Sequence, residues 1–153
     1  MIVLGIDPGV SGGMALVETV YGTSIVKSAV SFTNKPEKEI IRELNALTAF
    51  AFSVCYIEKV GYIRGDGAQG SFTFGRAYGF VRGMALSNGL IVRDTYPAIW
   101  QSSMDCMTRG NKNVSKKKAI QLFAAWDRQC GITHATADAI LIAEYGRRLE
   151  ERR

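Results

Sequence analysis

The stretch that most constrains this chain is its first, "MIVLGIDPGVSGGMALV". Ile2 to Ile6 form a continuous apolar or small run, the pattern of a central strand rather than of one that alternates at a surface. The run stops on Asp7, then come Pro8-Gly9 and Ser11-Gly12-Gly13 before apolar residues resume. Two readings of that carboxylate are open. Asp-Pro-Gly is good turn chemistry, and an acid at the end of a buried strand is also a candidate metal ligand.

The rest of the chain supplies neighbours for this strand. Met14 to Val20 and Ser24 to Phe32 read as two more strands, and Gly22 between them predicts an antiparallel meander. "NKPEKEIIRELNALTAFA" reads as a helix, with Pro36 in its first turn and Ile40, Leu44 and Leu47 at helical spacing. Ser53 to Lys59 is a fourth strand ending at Glu58, followed by the glycine-rich loop "GYIRGDGAQG". "SFTFGRAYGFVRGMALSNG" is a helix in which Gly75, Gly79 and Gly83 recur on one face. Each glycine costs a helix roughly 1 kcal/mol relative to alanine. The stripe therefore implies close backbone approach, either to the sheet or to a second copy of the chain. "LIVRDTY" is a fifth strand, and Pro97 opens a short segment containing Trp100. "TRGNKNVSK" is a polar loop, Val114 to Trp126 a helix with Ser115 as its cap, and His134 to Arg148 the last helix. A length of 153 residues without repeat or linker predicts one domain over residues 1–153.

Nineteen basic against fourteen acidic residues give a net charge of +5, which suits a nucleic-acid partner without requiring one. Basic residues gather at Lys112, Lys116, Lys117 and Lys118, and again at Arg147, Arg148, Arg152 and Arg153. Either group also reads as a solvated helix face. No apolar run is long enough to span a membrane, Arg76 and Arg82 exclude the glycine helix from that role, and no signal peptide is seen. The expected location is the cytoplasm, that of a bacterial host if the chain is phage-encoded. Cys55, Cys106 and Cys130 form no C-x-x-C pair, so they are expected to be reduced and packed as small hydrophobes.

Three carboxylates stand out: Asp7, Glu58, and Asp138 within "THATADAILIAEYGRR". Alanines around Asp138 predict a helix lying close on the sheet, where an acid is costly unless paired or bound to a cation. His134, the sole histidine, precedes Asp138 by four residues and shares its helix face. Taken singly, each has a plain alternative. Glu58 reads as an edge-strand surface charge, Asp138 as a hydrogen-bond acceptor for a loop, His134 as an ordinary helix-start residue. If strands one and four are neighbours, the acids converge, and like charges so placed call for a divalent cation. Oxygen-rich sets suit Mg²⁺ or Mn²⁺, and two such ions serve in-line displacement at a phosphodiester. No Ser-His-Asp set or phosphate-cradling P-loop is visible.

Read in order, these segments resemble the RuvC family of Holliday-junction resolvases, in its small phage-type branch, within the RNase H-like superfamily. "GIDPGVSGGMAL" resembles the first family motif, "IEKV" the second, and "QGSFTFGRAYGFVRGMA" the helix the family uses for dimerisation. "YPAIWQSSM" and "NVSKKKAIQLF" resemble its Pro-Trp segment and basic helix, and "HATADAILIAEYGRR" its last motif. The resemblance covers nearly the whole chain. It implies an α/β RNase H-like fold: a mixed five-stranded sheet, three strands antiparallel plus two parallel, flanked by helices. It also implies a crossover-junction endonuclease using two Mg²⁺ or Mn²⁺ ions held by Asp7, Glu58, His134 and Asp138. The partners it implies are branched DNA and a second copy, met through the Gly75/Gly79/Gly83 helix.

Two departures matter. His134 stands where many relatives have aspartate, and is read as a softer ligand or as a proton carrier. Gln101 and Ser102 stand where many have a lysine after the tryptophan. Lys116 then best matches the family's other catalytic lysine, with Lys112 a weaker match. Tyr62 matches an aromatic that stacks on an opened base, and Arg64, Arg76, Lys112, Lys116, Lys117 and Lys118 are the expected DNA contacts. Two other classes are a junction-binding module that does not cut, and an actin-like ATPase. A one-domain length argues against the second.

Overall fold

The computed structural model describes residues 1–59, 61 and 67–153. Its strands are β1 (Ile2–Asp7), β2 (Gly13–Val20), β3 (Thr23–Ser31), β4 (Val54–Glu58) and β5 (Ile91–Thr95). They form one sheet in the order β3-β2-β1-β4-β5. The turn at Tyr21-Gly22 joins β2 to an antiparallel β3, and β1 pairs antiparallel with β2. On its other side β1 pairs in parallel with β4, and β4 with β5. The sheet is thus mixed, three strands antiparallel and two added in parallel, and β1 is central as its apolar run predicts.

Alternation along β1 and β4 divides the core. Leu4, Ile6, Cys55 and Ile57 pack on one face against α1 (Glu37–Leu47) and α2 (Ala68–Ser87). Val3 and Tyr56 point to the other face. That face is covered by α3 (Pro97–Ser103), α4 (Asn113–Leu122), α5 (Ala124–Cys130) and α6 (His134–Glu150). Ile40, Leu44 and Leu47 are the buried residues of α1, as their spacing predicts, with Pro36 as its cap.

Two helix readings need correction. The stretch Val114 to Trp126 is broken at Phe123, whose extended φ of −128° ends α4 and starts α5. Phe123 is buried, so packing of its ring wins over helix continuity. Ser115 is not a cap. It lies inside α4, buried, and donates to the Lys112 carbonyl at 3.2 Å. Cys55 and Cys106 are buried, but Cys130 is exposed at the end of α5. Among the described residues no helix is long and apolar enough to cross a membrane.

Candidate active site

Strand register places the first two acids together. Ile6 pairs with Ile57 across the parallel β1–β4 ladder, so Asp7 and Glu58, one step further, lie side by side at the ends of their strands. The same alternation turns both toward the α6 face. Glu58 is on an inner strand, between β1 and β5, which removes its reading as an edge charge.

Helix α6 brings the third acid because it lies directly on the sheet. A Cβ at Gly5 would collide with the backbone of Ala139 and Ala143, and one at Gly13 with the carbonyls of Val30 and Ala135. Ala135, Ala139 and Ala143 thus form the stripe that rests on β1 and β2, and Asp138 is carried beside the ends of the strands. Gly12 has a related role: a Cβ there would strike the backbone oxygen and carboxyl carbon of Asp7. Thr133 caps α6, accepting from the Thr136 N–H at 3.2 Å, and so fixes where the helix begins.

The electrostatics are those of acids whose burial outweighs the positive charge near them. Burial, and then the charge of Asp138, push the Asp7 carboxyl up to about 6, although the Gly9 N–H donates to its Oδ1 at 3.2 Å. Burial and the charge of Asp7 push Glu58 up to about 7, while the Trp100 indole N–H, donating at 2.6 Å, pulls the other way. Asp138 is also raised, by burial, with Ser115, Lys112 and His134 opposing. Its Oδ1 is buried without a hydrogen-bond partner, and such an orphan calls for a reason. Among the described residues no three His, Cys, Asp or Glu side chains stand at ligand spacing around one point. Hard oxygen donors, raised proton affinities and the orphaned Oδ1 fit a Mg²⁺- or Mn²⁺-type cation.

Lys112 is the lysine that faces this cluster, lowering Asp7, Glu58 and Asp138 alike. No interaction of Lys116 with the carboxylates is seen among the described residues, although it matches the family lysine better by sequence. Lys112 ends the polar loop just before α4, a position that spacing alone does not aim at the acids. His134 is the exposed first residue of α6, and its charge acts on Asp138.

The other expected contacts lie elsewhere. Tyr62 and Arg64 fall outside the described residues. Lys117 is exposed on α4, and Lys118 sits 3.7 Å from Asp105. Arg76, on α2, pairs with Glu37 at 2.6 Å. It helps line a cavity of about 490 Å³ walled by Val10, Phe32, Phe72 and Phe80, which contains none of the three carboxylates. Among the described residues the face of α2 bearing Gly75, Gly79 and Gly83 is open: a Cβ at any of them would meet none of their atoms within 4 Å. Packing of that stripe on the sheet is therefore not its purpose. Gln101, in the place of the family lysine, accepts from the Thr108 N–H at 3.2 Å and holds the loop after α3.

No family model and no curated protein matches the sequence. Solved structures do match the fold. Thermus thermophilus RuvC in complex with a Holliday-junction substrate superposes with a TM-score of 0.73 at 20% identity, over 97% of this chain and 96% of that one. The Fowlpox virus resolvase, solved with Holliday-junction DNA, gives 0.59 at 15% identity over 97% and 99%. The yeast mitochondrial Holliday-junction resolvase gives 0.59 at 14% over 98% and 79%. The chain has the RNase H-like fold, and these structural neighbours are RuvC and related resolvases.

Proposed function

We propose that this chain is a divalent-metal-dependent endonuclease that resolves four-way DNA junctions. The observation that carries the reading is the convergence of Asp7, Glu58 and Asp138, from β1, β4 and α6, on one face of a resolvase fold with Asp138 Oδ1 unpartnered. Asp7, Glu58 and Asp138 would hold Mg²⁺ or Mn²⁺, with His134 at the margin beside Asp138. Bound there, two ions would supply an activated water and stabilisation of the departing oxygen in an in-line displacement. The chain's own residues orient that chemistry. Gly9 and Trp100 hold the Asp7 and Glu58 carboxylates by hydrogen bonds. Lys112 offsets negative charge where a phosphate would approach, and Lys116, Lys117 and Lys118 extend a basic surface along α4 for the DNA backbone.

The open glycine face of α2 supports assembly as a homodimer, whose two-fold axis matches that of a four-way junction and gives paired nicks. Wild type and Asp7→Asn are to be compared on junction, fork and linear duplex, with Mg²⁺, Mn²⁺ or chelator. Metal-dependent cutting of the junction by wild type and loss of it in Asp7→Asn are expected. Full cleavage by Asp7→Asn would sink the site, and binding without nicking at every metal would leave a junction-binding module.

A further inference from the structure

Trp100 is an unusual core tryptophan. Its side chain is 0% exposed, and an indole offers one N–H and accepts nothing. A buried N–H needs an acceptor, and here that acceptor is Glu58 Oε2, 2.6 Å away. The backbone fixes this pairing. Glu58 lies opposite Thr95 in the parallel β4–β5 ladder, and Pro97 begins α3 two residues later. One turn of α3 then returns Trp100 toward the end of β4. The indole belongs to the packed cluster that includes Met104, Cys106, Ala137 and Leu141. A glutamate has three side-chain torsions. A donor held in the core restrains them through one oxygen, and among the described residues Oε1 has no hydrogen-bond partner.

We propose that Trp100 is the positioning residue of Glu58: its indole N–H holds Oε2, so that Oε1 stays presented beside Asp7 to a divalent cation. This rests on the nuclease reading and adds to it a residue that acts through a ligand rather than on the substrate. Groups in this relation to a metal ligand usually change affinity or activity by 10–100-fold when lost.

The test takes Trp126→Phe as parent, so that Trp100 is the only indole. It is compared with the same chain carrying Trp100→Phe, and with the parent carrying β-(3-benzothienyl)alanine at position 100, which keeps the bicyclic shape and replaces N–H by sulfur. Mn²⁺ binding is measured by calorimetry and by the metal-induced shift in Tm, both without DNA. Junction cleavage is followed against Mn²⁺ concentration. Both replacements are expected to raise the Mn²⁺ Kd and the cleavage midpoint roughly 10–100-fold, leaving KM for the junction within about twofold. The sulfur isostere is expected to melt close to the parent without metal. Parent-like Mn²⁺ affinity in the isostere, with only a lowered Tm in Trp100→Phe, would make Trp100 a packing residue and overturn the proposal. A parent that binds Mn²⁺ without cutting overturns the nuclease reading and still judges Trp100 by affinity. A parent that does neither overturns both.

Discussion

Asp138 and Glu144 sit on the same helix, fewer than two turns apart, and both point inward. Glu144 is buried to 2% exposure and fully served. Arg147 donates to it at 2.7 and 3.0 Å, and Arg148 at 2.7 Å. Burial alone would raise its pKa, but the two guanidinium groups outweigh burial and hold it below the usual carboxylate range. Asp138 has no arginine, keeps an orphaned oxygen, and is raised. The fold evidently can neutralise an acid on this helix, and does so at one end only. The difference is what the proposed cation site at Asp138 would require: an acid whose burial the chain's own charges do not offset.

The comparison can be broken most sharply by exchanging the readouts. Asp138→Asn should cut junction cleavage by on the order of 10³-fold, as expected for several kcal/mol of metal-dependent stabilisation. It should leave metal-free Tm unchanged or raised. Glu144→Ala should do the reverse, costing about 1–3 kcal/mol of stability because Arg147 loses a buried acceptor while keeping Glu151 and Thr19. Urea titration of both variants, beside cleavage rates at saturating Mn²⁺, checks the pair; equal effects on both readouts would erase the distinction.

A pH series gives the next effect. Between about pH 4 and pH 7 the folded chain holds protons on Asp7 and Glu58 that the unfolded chain has released, because both groups are raised. Metal-free stability should therefore fall as pH rises through that window, by roughly 3 kcal/mol for each of the two groups, and level off above it. Glu144 has the opposite sign: its contribution is present above the ordinary glutamate pKa and is lost as pH falls through its lowered value. Unfolding in chelator from pH 4.5 to 7.5 should show the decline in wild type and a shallower one in Asp7→Asn, with Mn²⁺ restoring stability at pH 7.

Gly5→Ala should cost about 1–3 kcal/mol by forcing α6 off β1, seen as a Tm lower by several degrees, and should weaken Mn²⁺ binding because Asp138 moves with the helix. The smallest effect is expected at His134. Because it is exposed at the margin of the cluster, His134→Asp should change the Mn²⁺-to-Mg²⁺ activity ratio toward Mg²⁺ by less than about tenfold. An unchanged ratio would remove it from the ligand set.

Much of this was legible in the sequence because it rests on local pattern. The strand run before Asp7, the meander around Gly22 and the alanines flanking Asp138 all report burial directly. The pairing of β1 with β4 was legible as a condition, and register turned it into adjacency of Asp7 and Glu58. What was not legible depends on long-range contacts. The break at Phe123 comes from one ring finding a core site. The nearness of Lys112, rather than Lys116, depends on how a loop folds back. The Trp100–Glu58 bond joins residues 42 apart in sequence. A signal did exist for Gly5 and Gly13: glycine within a strand often marks a close backbone approach, here that of α6.

Helix α6 is also a mechanical part. Its 17 residues span about 25 Å. The far end is bolted to β2, where Thr19 donates to Glu151 at 2.6 Å and accepts from Arg147 at 2.8 Å. Along its length it rests on a floor of glycine and alanine with no slack. Asp138 is therefore mounted near the end of a clamped beam, and whatever it is asked to hold must be met by rotation of its side chain rather than by sliding of the helix.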